Sequence, residues 1–222
     1  SNSGWNGTVA AEAFPGDGIS VRYIKGAELK TGYLSEGFLA GEETTECVLK
    51  NCRVLIYNGN LTHINDNLDV FIELSSKNTS ILIIANAVKQ EALATFLKNK
   101  AVGRLSVCCV NFPLWTRSSR EWKEDLSILL GTKMFGPTEG TSLSDVTLED
   151  LGFADKIVVG KWNTKIFGPR KDEKLAAARL KLYSKGSDNL IGDLDRKGIR
   201  DRVAMLTSKA SIISVGYSTE LE

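Results

Sequence analysis

Short, almost wholly apolar runs alternate along this chain with longer stretches of helical period, and that alternation limits the fold to few classes. Residues 53–57, 80–85, 105–110, 156–160 and 210–215 are dense in Val, Ile, Leu and Ala. Runs of this length without polar alternation predict strands covered on both faces. Helical stretches are predicted over 61–76, 89–102, 118–130 and from about 172 to 186. Thr62 and Asn86 stand where a side-chain oxygen would cap the first two helices. Lys77-Asn78 and Gly131 stand where the first and third would stop. Segments 136–144 and 186–193, rich in Gly, Ser, Thr and Asp, read as loops. The pattern is that of an α/β protein.

With 222 residues, 42% of them hydrophobic, the chain can bury one substantial core, as one domain or one domain with a small appendage. Lys and Arg number 28 against 27 Asp and Glu, and the resulting formal charge of +1 lacks the one-signed field that nucleic-acid binding requires. No run of eighteen apolar residues is present, and the first residues lack a charged-then-apolar leader pattern. The expectation is a cytoplasmic protein without membrane or nucleic-acid partners; Ser1-Asn2-Ser3-Gly4 is given no role.

The helical stretches carry more apolar surface than one sheet can cover. At 100° per residue, Leu61, Ile64, Leu68, Phe71 and Ile72 share a face, while Val70 and Leu74 lie nearly opposite. In the second stretch Ala92, Leu93, Phe96, Leu97, Ala101 and Val102 spread over about half the circumference. Periodicity alone assigns such bands to the core. The alternative is an apolar groove between two neighbouring helices.

Four cysteines are present, and neither the Cys47/Cys52 spacing nor the adjacent pair Cys108-Cys109 is a metal signature. Strand alternation sends Cys108 and Cys109 to opposite faces, and all four read as small buried apolar groups. A cysteine-dependent enzyme using Cys108 or Cys109 with the single histidine, His63, is the reading of another class; it requires an exposed, electropositive thiol. Gly16-Asp17-Gly18 and Gly140-Thr141-Ser142 lack phosphate-loop spacing, and no Gly-x-Ser-x-Gly elbow occurs.

Several motifs in matching order resemble the apical domain of group I chaperonins, the GroEL family. They are Gly32-Tyr33-Leu34-Ser35 with Phe38, Ile81-Leu82-Ile83-Ile84-Ala85, Glu91-Ala92-Leu93-Ala94-Thr95, and Val146-Thr147-Leu148-Glu149-Asp150-Leu151-Gly152. The closing run adds Leu194-Asp195-Arg196, Arg202-Val203-Ala204-Met205-Leu206 and Val215-Gly216-Tyr217-Ser218-Thr219-Glu220-Leu221-Glu222. The resemblance implies a three-layer β/β/α apical-domain fold with two groove-lining helices. It places the apical domain at 26–216, an N-terminal remnant with an intermediate-domain strand stub at 1–25, and a second stub at 217–222. Gly26 and Gly216 fall on the family's hinge positions.

By the same resemblance the segment captures non-native polypeptides and the mobile loop of a GroES-type co-chaperonin. The contact positions fall on Tyr33, Gly37 and Phe38, on Leu68 and Phe71, and on Leu93, Leu97, Lys98 and Asn99. It further implies a parent ring, heptameric or double, whose ATP and Mg reside in an equatorial domain. The segment itself is then monomeric, without cofactor, metal or catalytic residue. A stand-alone peptide-binding module is the alternative, distinguished by high intrinsic affinity rather than avidity.

Three departures point to a divergent member. Gly37 stands where the family has an aromatic residue and Lys98 where it has an aliphatic one, both removing apolar area. The family's glycine-rich segment after the third apolar run is replaced by residues 111–118, where Phe112, Leu114 and Trp115 cluster. Local packing is one reading of that cluster, and an altered contact surface the other.

Overall fold

The computed structural model describes residues 8–15, 19–41, 43–64, 69–112, 119–186, 193–207 and 209–217. The α/β class expected is the one adopted: among the described residues nine strands form one mixed sheet, eight along a single path and one beside the third strand, with five α-helices. Its central unit alternates strand and helix, with β3 (Cys47–Leu61), α1 (Asp69–Ser76), β4 (Ile81–Val88), α2 (Gln90–Ala101) and β5 (Val107–Asn111) in succession. β3, β4 and β5 are parallel neighbours, Arg53 opposite Ile81 and Leu82 opposite Cys108. Crossovers between parallel strands are right-handed, so a sheet that advances strand by strand in one direction keeps both connecting helices on one face. That rule brings α1 and α2 side by side.

The remaining strands continue the sheet from the other edge of β3. β7 (Gly152–Val159) runs antiparallel to β3, β8 (Thr164–Pro169) antiparallel to β7, and the two-residue β6 (Met134–Phe135) takes over beside Ile56 and Tyr57. β2 (Ile19–Leu29) then changes partner along its length. Ile19 to Lys25 pair with β9 (Lys209–Tyr217), and Gly26 to Leu29 pair with β8. β1 (Thr8–Pro15) closes this end parallel to β9, with Phe14 opposite Gly216.

Residues 81–85 and 107–110 are buried throughout. This is the pattern of parallel strands covered on both faces, and Cys108 and Cys109, pointing to opposite faces, are both fully buried. α3 (Ser119–Leu130) packs on β3 and β7 and also meets α4 (Glu173–Gly186) and α5 (Asp193–Thr207). The three helices meet at a buried ionic cluster. Asp125 is fully buried and accepts from Arg202 Nε at 2.6 Å, Arg179 Nε at 2.7 Å and Tyr183 Oη at 2.6 Å. Arg202 also donates to Glu121 and to the Tyr183 hydroxyl. Burial opposes both guanidinium charges, but Asp125 prevails and holds Arg179 and Arg202 above their ordinary values. Burial and the same carboxylate push the Tyr183 phenol up.

Several local expectations are corrected. The first helix is described over Asp69–Ser76 and does not reach back to residue 61: Leu61 is the buried last residue of β3, and its carbonyl accepts from Lys89 N at 2.8 Å. Thr62 caps nothing there, and its backbone carbonyl is taken by Ala92 N. Asn86 does not cap α2, whose N-cap is Lys89; the Asn86 side chain instead accepts from Lys123 Nζ at 2.5 Å. The stops hold: Asn78 (φ 48°) and Gly131 (φ 64°) both turn left-handed, and a Cβ at Gly131 would lie 2.3 Å from the Arg170 carbonyl oxygen. Besides β2 and the two-residue β6, neither of them predicted from the sequence, two elements give no clear signal there. β8 contains the breakers Gly168 and Pro169, and α5 turns the charged Arg202 inward, which spoils its apolar stripe.

Candidate functional site: a groove between two helices

α1 and α2 touch through Phe71 and Phe96, whose rings meet edge to face at 5.8 Å between centroids. That contact forms the floor of a groove of about 390 Å³. Phe71, Ile72, Ser75 and Ser76 supply the α1 wall, and Thr95, Phe96 and Asn99 the α2 wall. Ile64, Arg104 and Leu105 complete the lining. The α2 residues recur at the 3.6-residue period, so one stripe of the helix faces the groove. Val70, Phe71 and Leu74 are the buried arc of α1, and Ile72 stands 54% exposed on the rim. The opposition expected between Phe71 and the pair Val70/Leu74 is not found: the three lie within about 100° of one another and form one buried arc.

Of the contact positions implied by resemblance, Phe71 and Asn99 line this groove. Asn99 is buried, and its Nδ2 donates to the Thr95 carbonyl at 2.9 Å. Leu93 and Leu97 are half-buried against the core and do not line the groove, and Lys98 is exposed. Leu97 instead meets the short 3-10 turn Glu36–Phe38, where a Cβ on Gly37 would come within 2.9 Å of Leu97 Cδ2. Phe38, expected at the surface, is fully buried and serves as core beneath the turn. Tyr33 is half-buried; its amide donates to the Gly160 carbonyl and its backbone bridges Val110. Leu68 lies outside the described residues. α2 is thus flanked by two features, the groove on the α1 side and the Gly37–Leu97 contact on the other.

Phe96, Ile72 and Arg104 are groove residues that the sequence did not single out as contacts. The spacing of Ala92, Thr95, Phe96 and Asn99 carried the signal for Phe96, whereas Arg104 follows the helix and no periodicity reaches it.

The chemistry of a cysteine enzyme finds no support in the geometry. Cys108 and Cys109 are fully buried, and burial pushes both thiols well up. Cys47 is held below its ordinary value by a hydrogen bond with Cys108, yet it too is buried. His63 pairs with Glu91 at 2.9 Å on the surface. Among the described residues no three His, Cys, Asp or Glu side chains are placed to hold a metal, and no helix is long and apolar enough to cross a membrane. Phe112 is buried with Lys123 Nζ 5.1 Å from its ring centre, which makes it local packing; Leu114 and Trp115 lie outside the described residues.

No family model matches the sequence. The chain is 31% identical over 219 residues to the chaperonin GroEL of Carsonella ruddii (strain PV), an alignment that takes in 99% of this chain. It spans 41% of the length of that relative.

Proposed function

Because the chain belongs to the GroEL family of chaperonins, we propose that it is the apical, polypeptide-capturing part of a longer subunit, and that the groove between α1 and α2 receives extended apolar segments of non-native chains. The observation that carries this reading is an aromatic floor, Phe71 on Phe96, open beside a rim residue as apolar and exposed as Ile72. Burying one Leu, Ile, Val or Phe side chain of a client contributes about 1.5–3 kcal/mol whatever its neighbours, so capture is promiscuous. Ordering and association costs keep a single groove weak. A ring of such domains converts weak contacts into tight retention by effective concentration.

In this reading the apical part occupies 26–216, with 1–25 and 217–222 as intermediate-domain stubs and Gly26 and Gly216 as hinges. The partner change of β2 between Lys25 and Gly26 supports the first boundary, whereas β9 pairs only with residues 8–25, which favours a second boundary ahead of Lys209 rather than at Gly216. The co-chaperonin loop competes for the same surface as clients. Gly37 leaves room that Leu97 occupies, and Lys98 sets a charge where apolar area would help, so lid affinity is lower than for a fully apolar surface. ATP and Mg act in the remainder of the subunit, and this chain binds no nucleotide. Calorimetric titration with Mg-ATP checks that last point, and saturable binding overturns it.

The test of capture is a backbone NMR titration with an apolar extended peptide and a scrambled polar control. Shifts centred on Phe71, Ile72, Phe96 and Asn99 are expected. Ile72→Ser, a change at an exposed position, weakens binding about tenfold while the fold stays intact. Shifts confined to residues outside the α1–α2 groove, or no binding, overturn the assignment.

A further inference from the structure

The groove is not electrically neutral. Among its lining residues Arg104 alone carries a charge. Its backbone is pinned: the Arg104 and Leu105 amides both donate to the Asn99 carbonyl, at 2.9 and 3.2 Å, and Leu105 is buried. Arg104 thus lines a groove whose other members are apolar, hydroxyl and amide side chains, and the residue stays exposed. Glu73 holds Lys77 at 2.6 Å and Glu91 holds His63, and neither these two nor Asp69 of α1 is among the groove-lining residues. No ion pair or side-chain hydrogen bond to a described residue occupies the Arg104 guanidinium. A planar fork of N–H donors beside low-dielectric surface is suited to a carboxylate, which it binds with two parallel hydrogen bonds.

We propose that Arg104 is a specificity-determining residue of the groove, and that it selects extended peptide segments in which an Asp or Glu side chain flanks the apolar residues. This rests on the capture reading given above and sharpens it. The apolar floor supplies affinity without regard to sequence, and Arg104 adds a preference for register and charge. Segments bearing Lys at the same place are disfavoured, because the groove offers no acidic partner and presents a like charge.

The experiment uses four variants of one apolar extended peptide, titrated against this chain by fluorescence anisotropy. Three are blocked at both ends and carry Glu, Gln or Lys beside the apolar residues, and the fourth is the Gln peptide with a free C-terminal carboxylate. The Glu peptide is expected to bind about two- to fivefold more tightly than the Gln peptide at low salt, with Lys weakest. Arg104→Gln is expected to abolish the ratio of Glu to Gln affinity, whatever it does to affinity in general, and Arg104→Lys to retain part of it. Equal binding of all peptides overturns the selectivity and leaves capture standing, as does a Glu preference that survives Arg104→Gln. A preference shown by the free C-terminus but not by the Glu side chain also overturns it. If no peptide binds at all, the capture reading falls and the selectivity with it. Matching amide spectra of wild type and Arg104→Gln establish that the fold is shared.

Discussion

Single residues decide how the α1–α2 surface works. Phe71 is both core and groove floor: it is 6% exposed, it stacks edge to face on Phe96, and its outer side lines the trough. Phe71→Ala is expected to destabilise the chain by about 3–5 kcal/mol, seen as a lowered urea midpoint, because it leaves a cavity in addition to losing buried area. It therefore tests the core, whereas Ile72→Ser tests the surface. Gly37 illustrates how a residue's meaning depends on its neighbour. Its missing side chain reads in sequence as lost apolar area, but in the fold a Cβ there would press on Leu97 at 2.9 Å. Gly37→Ala is expected to shift the Leu97 methyl resonances and cost less than about 1 kcal/mol, since the obstructing atom ends a flexible side chain and the 3-10 turn keeps its Ser35 cap.

At the scale of elements, the helices on the α3 side are joined by charge rather than by apolar packing alone. Asp125 is fully buried on α3 and engages α4 through Arg179 and Tyr183 and α5 through Arg202. Arg202→Met removes the more buried guanidinium and leaves Asp125 under-compensated, so a loss of about 3–5 kcal/mol is expected in chemical denaturation. Arg179→Met is expected to cost less, because Arg179 is more exposed than Arg202. This cluster explains why α5 was not legible as a helix: its inward-facing Arg202 reads as solvent-exposed until the partner on α3, 77 positions away, is known. The first helix failed differently. Residues 61–64 share its apolar period, but Leu61 is buried as strand and Ile64 packs as loop, so a helical wheel merged three geometries into one.

Over the whole molecule, buried thiols set an alkaline limit on stability. Burial raises Cys52 and Cys109 above their unfolded values, so their contribution is fully present below the unfolded pKa of about 8.5 and is lost as pH rises beyond it. The thiols add no pH dependence below about pH 8, and above it the unfolding free energy is expected to fall by about 1.4 kcal/mol per pH unit for each such thiol, as read from urea melts. The Cys47/Cys108 pair opposes part of this at Cys47, whose value is lowered. A native thiol assay at pH 8 is expected to label none of the four cysteines on the timescale that labels all four in urea, because all are buried.

The α/β class, the buried strands at 53–57, 80–85 and 105–110, the stops at Asn78 and Gly131, and the family were determined by the sequence itself. Each depends on local period, backbone tolerance or motif order, and none needs knowledge of a distant residue. Tertiary structure alone decided which apolar residues are groove and which are core. Phe38, Leu97 and Phe71 have equivalent hydrophobicity in a sequence, yet one is fully enclosed, one meets a glycine turn and one floors the trough. The strand order β3, β4, β5 with right-handed crossovers sets α1 beside α2, and Arg104, just past α2, joins the lining of the groove between them. Which neighbour covers an apolar residue, and whether any does on a helix's second face, is decided by topology, and the chain's own periodicity contains no record of that.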